Sequence, residues 1–157
     1  LRRQRQMCIR DSAGKDILFI DRNFNEKTIK IYIKKIGHVM VQKFLPLVKH
    51  GDKRVFILNG KVKGAIRRVP SKGSILSNIS QGGSALKTKL NKKELYISKV
   101  IAKKLKKNNI FFAGIDLVGG FLIGDINVTS PTGLPQYMNL TGRNLTVDFW
   151  DELEKLK

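Results

Sequence analysis

The sequence is poor in the residues that build disulfides and transition-metal sites. Its 157 residues include one cysteine, Cys8, and two histidines. A single cysteine cannot form a disulfide within the chain, and no histidine or second cysteine stands near it at the spacing of zinc ligands. The sequence therefore excludes an internal disulfide and argues against structural zinc and redox chemistry.

Long hydrophobic runs are missing as well. The chain contains no stretch of about 18 apolar residues that could span a bilayer, and its first residues lack the apolar segment of a secretory signal. We therefore expect a cytoplasmic protein with no membrane partner. The apolar content of 41% is nevertheless enough to form a packed core.

Acidic residues are scarce relative to basic ones. The 31 lysines and arginines against 12 aspartates and glutamates give a net charge of +19, which by itself indicates a nucleic-acid partner. The lysines are scattered along the whole chain, however, and aromatic residues do not alternate with them as they do in a base-stacking surface. We predict no nucleic-acid partner and keep a basic nucleic-acid-binding module as an alternative.

Residues 1–12 differ from the rest of the chain. They contain four arginines and no lysine, whereas lysine predominates afterwards, and they show neither helical nor strand periodicity. We therefore expect them to be a non-native leader that contributes nothing to the fold.

Hydrophobic periodicity and turn residues predict an α+β protein. The strongest turn signal is Asn59-Gly60, because a two-residue type I′ turn requires positive φ at both positions. It predicts one hairpin, and Gly119-Gly120 predicts a second. The predicted strands are residues 16–20, 39–45, 54–58 paired with 61–69, and 110–118 paired with 121–128, and residues 70–90 are predicted to form a long loop.

Three segments are predicted to be helical. Residues 28–36 fit a strand and a helix face equally well, and the polar residues Asn25 and Glu26 before them favour a capped helix. Residues 91–107 begin with a capping-box pair, and residues 147–156 form the last helix. The side chains expected in the core are Ile97, Val100, Ile101 and Leu105 of the second helix and Phe149, Trp150 and Leu153 of the third.

Two carboxylates and one amide lie in the second predicted hairpin. Asp116 interrupts an apolar strand, where a carboxylate needs compensation for its charge. A two-residue turn would place Gly114 opposite Asp125, and Phe112 would then face Asn127. Alternation would put Asp116, Asp125 and Asn127 on one face, where all-oxygen ligands suit Mg²⁺. The alternative is a turn-capping Asp116 with Asp125 in solvent.

Longer strings of sequence place these residues in a family. Residues 114–119 read Gly-Ile-Asp-Leu-Val-Gly, and residues 125–132 read Asp-Ile-Asn-Val-Thr-Ser-Pro-Thr. The upstream strings are, in order, Gln42-Lys43-Phe44-Leu45-Pro46, Gly51-Asp52-Lys53-Arg54, Arg68-Val69-Pro70, Asn78 and Gly82-Gly83. Together they closely resemble the C-terminal part of bacterial glutathione synthetases, which are ATP-grasp enzymes. The resemblance runs from residue 14 to the C-terminus, and residues 127–132 are its most specific part.

The resemblance implies an ATP-dependent carboxylate–amine ligase that joins γ-glutamylcysteine and glycine through an acyl phosphate. It implies the C-terminal part of an ATP-grasp fold, with hairpins of a mixed or antiparallel sheet packed against helices. ATP and Mg²⁺ or Mn²⁺ would be the cofactors, and the intact enzyme a homo-oligomer. The implied catalytic residues are Arg54 and Arg68; the ATP contacts Gln42, Lys43, Phe44, Leu45, Asp52, Asn78, Gly82 and Gly83; the substrate contacts Ser130 and Thr132; and the metal ligands Asp116, Asp125 and Asn127.

The sequence departs from the family pattern in three respects. Asp125 stands where the family usually has glutamate, and Leu76 and Ser84 stand where the loop commonly has arginines. By the resemblance, we also expect the N-terminal substrate domain and part of the ATP-binding subdomain to be missing from this sequence. We therefore expect residues 13–157 to be the C-terminal portion of an ATP-grasp domain and to be inactive alone. Another ATP-grasp ligase, acting on D-amino acids or adding glutamate to a protein, is the nearest alternative.

Overall fold

The computed structural model describes residues 20, 25–37, 39, 45–71 and 83–156, apart from the side chains of residues 122–124. The chain divides into two compact units, Leu1–Phe44 and Leu45–Lys157. None of the described helices is long and apolar enough to cross a membrane.

The first unit contains one described helix, α1 (Glu26–Ile36). Asn25 caps it, since the Asn25 side chain accepts a hydrogen bond of 2.9 Å from the backbone N–H of Lys27. The preference for a helix over a strand in this segment is therefore confirmed. The strands predicted at residues 16–20 and 39–45 lie almost wholly outside the described residues.

The second unit is an antiparallel sheet covered by helices, and the α+β prediction is confirmed. The described strands form one five-stranded sheet in the order β3-β2-β1-β4-β5. The strands are β1 (Asp52–Leu58), β2 (Lys61–Val69), β3 (Ser84–Lys87), β4 (Phe112–Val118) and β5 (Phe121–Asn127), and the helices are α2 (Lys92–Lys107), α3 (Leu134–Thr141) and α4 (Leu145–Glu154), with a 3-10 turn at Pro46–His50.

The hairpin β1–β2 forms where it was predicted. Asn59 and Gly60 have φ of 46° and 74°, as a type I′ turn requires. Beyond the turn the register shifts: Ile57 pairs with Val62, but Phe56 pairs with Gly64, so β2 carries one extra residue at this bulge.

The hairpin β4–β5 also forms around its predicted turn, with φ of 56° at Gly119 and 79° at Gly120. The predicted register was wrong. Gly114 pairs with Asn127, not with Asp125, because the pairing is irregular between Ile115 and Leu117 and β5 carries extra residues there.

One described strand and one described α-helix were not predicted. The proposed loop over residues 70–90 was wrong at β3, a short strand that pairs with the outer edge of β2. Its side chains are largely exposed, so the pairing depends on backbone hydrogen bonds that sequence alternation does not reveal. Helix α3 begins directly after Gly133, which has φ of 110°, and Pro135 lies in its first turn.

The core lies on both faces of the sheet. On one face, side chains of β1 and β4 such as Val55 and Ile115 pack against Ala102 and Leu105 of α2. The predicted stripe of α2 was wrong at Val100, which is exposed, because the small residues Ser98 and Ala102 occupy the face that approaches the sheet. The flanking Ile97 and Ile101 pack against this core as expected.

The other face is covered by α3 and α4. Phe56 and Ile66 pack against Tyr137 of α3 and Leu145 of α4, and the Phe56 and Tyr137 rings meet edge to face at 5.7 Å. In α4, Phe149 is half-buried against Phe111 and Phe112. The prediction that Trp150 is a core residue was wrong, since 57% of it is exposed.

Glu152 ties α4 to the β1–β2 hairpin. The buried Glu152 carboxylate accepts hydrogen bonds from the Asn59 amide (3.1 Å) and the Lys63 ammonium (3.4 Å). The hydrogen bond from Asn59 is the largest influence on the pKa of Glu152 and lowers it. Desolvation opposes this effect, Lys63 and Lys61 add to it, and the resulting pKa is about 2. A carboxylate with a lowered folded-state pKa stabilises the fold above its unfolded pKa and loses this contribution as pH falls.

We expect Glu152→Gln to reduce the free energy of unfolding by roughly 1–2 kcal/mol at pH 7 and to leave it little changed at pH 2. The difference should disappear between pH 4.5 and 2, the window between the ordinary and folded-state pKa. Urea unfolding across this range measures it, with the exposed Glu154→Gln as the matched control. A constant difference at all pH values would contradict this role for Glu152.

Candidate active site

Polar residues from three strands share the sheet face opposite α2. Val55 and Ile57 of β1 point toward α2, so the alternating residues Asp52 and Arg54 point to the other face. The register places Arg68 opposite Asp52 and Asp116 opposite Arg54. Four charged side chains are thereby brought together at one end of the sheet.

Arg54 and Asp116 form a bidentate ion pair. The Nε and Nη2 atoms of Arg54 donate to the two carboxylate oxygens of Asp116 at 2.5 and 2.8 Å. This parallel arrangement is the strongest geometry available to a guanidinium and a carboxylate. The remaining nitrogen, Nη1, lies 3.5 Å from the carbonyl oxygen of Thr132.

Arg68 joins this pair to a second carboxylate. Its Nη2 atom lies 2.9 Å from Oδ2 of Asp116, and both Nε and Nη2 donate to Oδ2 of Asp52. The result is a continuous chain of ion pairs, Asp52–Arg68–Asp116–Arg54, which we call the ionic network.

All members of the ionic network are buried. The exposed fractions are 0% for Asp52, 3% for Arg54, 5% for Arg68 and 3% for Asp116. Two positive and two negative charges cancel, and burial of such charges is tolerated only when each is paired and hydrogen-bonded.

The protonation states follow from the same contacts. Burial opposes ionisation of Asp116, but the hydrogen bonds and charges of Arg54 and Arg68 outweigh burial and hold the pKa of Asp116 below its ordinary value. Burial also disfavours the charged form of Arg68, and Asp116 and Asp52 overcome this effect and raise its pKa. Both groups are therefore ionised at neutral pH.

The segment after β5, residues 128–133, crosses the sheet beside the ionic network, and we call it the 128–133 loop. Asn127 organises its start: Oδ1 of Asn127 accepts hydrogen bonds from the backbone N–H of Thr129 (3.2 Å) and Ser130 (3.0 Å). Its Nδ2 donates to the carbonyl oxygen of Ser130 at 3.2 Å. Ser130 and Thr132 are exposed at the surface of the loop.

The three predicted metal ligands share a face. Ile126 packs with the core beneath α2, so its neighbours Asp125 and Asn127 lie on the opposite face, where Asp116 also lies. Two carboxylates and an amide match the ligands of Mg²⁺, which binds through one or two carboxylates, phosphate oxygens and water. Among the described residues no group of three or more His, Cys, Asp or Glu side chains could hold a metal ion.

The other predicted contacts are only partly described. Leu45 is half-buried directly before the 3-10 turn, and Gly83 is half-buried directly before β3. Gln42, Lys43, Phe44, Asn78 and Gly82 lie outside the described residues.

Sequence reasoning identified the members of the ionic network but not their mutual pairing. An unbroken two-residue hairpin would place Arg67 opposite Asp52, and the bulge in β2 replaces Arg67 by Arg68. Arg67 instead faces the other side and donates to the carbonyl oxygen of His50 at 2.6 and 3.0 Å. The contact between Arg54 and the Thr132 carbonyl was also missed, since backbone acceptors leave no signal in the sequence.

The family described as "Prokaryotic glutathione synthetase, ATP-grasp domain" matches residues 7–142 of the chain. This match covers most of the sequence, including the ionic network and the 128–133 loop. The chain belongs to this family.

Individual relatives agree with the family match. The chain is 41% identical over 115 residues to the glutathione synthetase of Rhodopseudomonas palustris, covering 73% of this chain and 36% of that protein. It is 40% identical to that of Synechocystis over 136 residues (85% and 42%) and 38% identical to that of Nostoc over 148 residues (92% and 45%). The chain thus spans about two fifths of the length of these curated relatives.

We expect Asp116→Asn to lower the free energy of unfolding by about 3–5 kcal/mol, because two buried guanidinium groups would share one remaining carboxylate. The double variant Arg54→Met/Asp116→Leu removes a neutral pair and leaves Arg68 with Asp52, so it should recover most of this loss. Urea unfolding measures both, with the exposed Asp151→Asn as control. A cost below about 1 kcal/mol for Asp116→Asn would show that the network contributes little.

Proposed function

We propose that this chain forms part of an ATP-dependent carboxylate–amine ligase that joins γ-glutamylcysteine and glycine, as a glutathione synthetase does. The observation that carries the proposal is the buried ionic network beside the 128–133 loop, in a chain of the ATP-grasp family. The names of the relatives support the choice of substrates.

This reaction requires correctly positioned reactants and stabilisation of negative charge, and it does not depend on a strong base. The γ-phosphoryl group of ATP passes to the substrate carboxylate, and the amine then displaces phosphate from the acyl phosphate. Negative charge develops on oxygen atoms in both steps, so preorganised cations provide most of the stabilisation. Guanidinium groups suit this task because they are planar and always charged.

Arg54 and Arg68 would provide this charge. Their carboxylate partners use Nε and Nη2, and Nη1 of Arg54 points instead to the loop that carries Ser130 and Thr132. We propose that this edge of Arg54 contacts substrate oxygens. Asp52 and Asp116 hold both guanidinium groups in place. The two arginine side chains would therefore not have to change conformation when the substrate binds.

Asp116, Asp125 and Asn127 would hold the Mg²⁺ or Mn²⁺ of the nucleotide, which supplies charge neutralisation at the phosphates. Asp116 is ionised at neutral pH, as a ligand must be. Oδ1 of Asn127 already accepts backbone hydrogen bonds from Thr129 and Ser130. Because an amide oxygen has two lone pairs, metal binding would replace one of these hydrogen bonds.

We further propose that residues 13–157 are the C-terminal portion of the ATP-grasp domain of a longer enzyme. The share of each relative that the chain spans supports this division. The glycine-rich segment around Gly83 and the segment that ends at Leu45 would contact ATP, and the remaining part of the enzyme would complete the nucleotide and substrate pockets.

We expect the complete gene product to release ADP from ATP only when γ-glutamylcysteine and glycine are both present. A coupled ADP assay measures this, with D-alanine and glutamate as alternative acceptors. ADP release that depends on D-alanine alone, or on glutamate and a protein acceptor, would instead assign the chain to another ATP-grasp ligase.

We expect Asp125→Asn to weaken Mn²⁺ binding in the presence of ATP by at least about tenfold, because one anionic ligand is lost. Asp125 is only half-buried, so the melting temperature should change little. Electron paramagnetic resonance of free Mn²⁺ measures the affinity in the complete gene product, and Asp151→Asn is the control. Equal affinities in the three proteins would remove Asp125 from the site.

The same variants distinguish a basic nucleic-acid-binding module. Such a module would bind a single-stranded oligonucleotide with an affinity that falls steeply with salt concentration and survives Asp125→Asn. The ligase proposal predicts that this carboxylate matters for the nucleotide-bound metal instead.

A further inference from the structure

Gly114 lies beneath the 128–133 loop, on the sheet face that carries the ionic network. It pairs with Asn127 across β4 and β5. A Cβ atom at this position would come within 3.0 Å of Cδ of Arg54 and 3.1 Å of Cβ of Pro131. The backbone φ of Gly114 is not positive, so the backbone would admit any residue and only the space above it demands glycine.

The two residues that a side chain at position 114 would meet, Arg54 and Pro131, differ in how easily they can move. Arg54 is buried and fixed by two hydrogen bonds to Asp116. Pro131 is half-buried in a loop whose neighbours Ser130 and Thr132 are exposed. The contact that joins the loop to Arg54, from Nη1 to the Thr132 carbonyl, is 3.5 Å long and therefore weak. The loop is freer to move than the arginine, but a Cβ atom at position 114 would also lie 3.3 Å from Nη1 of Arg54, so the Arg54 side chain would have to yield by a few tenths of an ångström as well.

The ends of the 128–133 loop are held independently. Asn127 fixes its start through hydrogen bonds to Thr129 and Ser130. Gly133 fixes its end, because a Cβ atom there would lie 3.0 Å from Cδ1 of Ile66, which shows how closely the backbone packs on the sheet. A side chain at position 114 would therefore displace mainly the middle of the loop.

We propose that Gly114 is a positioning residue for the acceptor substrates: its missing side chain seats Pro131 and sets the height of Ser130 and Thr132 above Arg54. The inference rests on the proposed ligase function and adds a determinant of substrate binding to it. Gly114 acts through the loop and touches no substrate itself. Its effect on nucleotide binding is expected to be small, because Arg54 would yield by only a few tenths of an ångström and stays anchored to Asp116 by two hydrogen bonds.

The test is Gly114→Ala in the complete gene product. We expect KM for γ-glutamylcysteine to rise by roughly three- to tenfold, since Pro131 would yield by only a few tenths of an ångström and a displacement of about 1 Å in a site can cost about 100-fold. The dissociation constant of Mg²⁺–ATP should stay within about twofold of the unmodified enzyme. A general loss of structure would instead weaken nucleotide and substrate binding together.

Gly60→Ala is the matched control. Gly60 has φ of 74° in the β1–β2 turn, and a Cβ atom there would lie 2.8 Å from the Lys106 side chain. This variant should therefore lose stability while its KM for γ-glutamylcysteine stays unchanged.

Pro131→Gly tests the contact from its other side and serves if Gly114→Ala does not fold. Removing the Pro131 side chain should loosen the loop and raise the same KM without lowering the melting temperature by more than a few degrees. An unchanged KM in either folded variant, or a parallel loss of Mg²⁺–ATP affinity, overturns the role of Gly114. Absence of ligase activity in the unmodified gene product would overturn the proposed function instead.

Discussion

The bidentate ion pair between Arg54 and Asp116 is the interaction on which the rest of the site depends. A buried guanidinium requires a carboxylate, and a buried carboxylate at the centre of a sheet requires cations on both sides. Arg68 and Asp52 complete the chain, so the three strands β2, β1 and β4 are joined by charge as well as by backbone hydrogen bonds. Removing one member leaves a partner buried without compensation, which is why the four residues act as a unit.

The sheet face that carries the ionic network is divided into an apolar half and a charged half. Phe56 and Ile66 pack beneath α3 and α4, and the same strands continue into Arg54 and Arg68 two residues further along. The 128–133 loop crosses from the charged half to the apolar half, where Gly133 packs against Ile66. The hydrophobic core thus anchors one end of the segment that is proposed to border the substrates, and the Asn127 side chain holds the other.

The sequence predicted those features that depend on a few adjacent residues. Asn59-Gly60 and Gly119-Gly120 specify their turns because positive φ is a local requirement, and the cap of α2 is equally local. The bulges that follow both turns were not predictable, since they depend on how two strands accommodate each other's side chains. They decide that Arg68 rather than Arg67 faces Asp52, and that Asn127 rather than Asp125 faces Gly114. For the same reason β3, whose pairing relies on backbone groups, escaped prediction.

We propose that one carboxylate, Asp116, belongs both to the ionic network and to the ligands of the metal ion that accompanies the nucleotide. A crystal structure of the complete gene product with Mn²⁺ and ATP, with the manganese located by anomalous scattering, tests it most directly. We expect a manganese ion about 2 Å from an oxygen atom of Asp116, with Arg54 still paired to the same carboxylate and Asp125 bound to the same ion. Manganese bound elsewhere on the nucleotide, with Asp116 contacting only the two arginines, would contradict it.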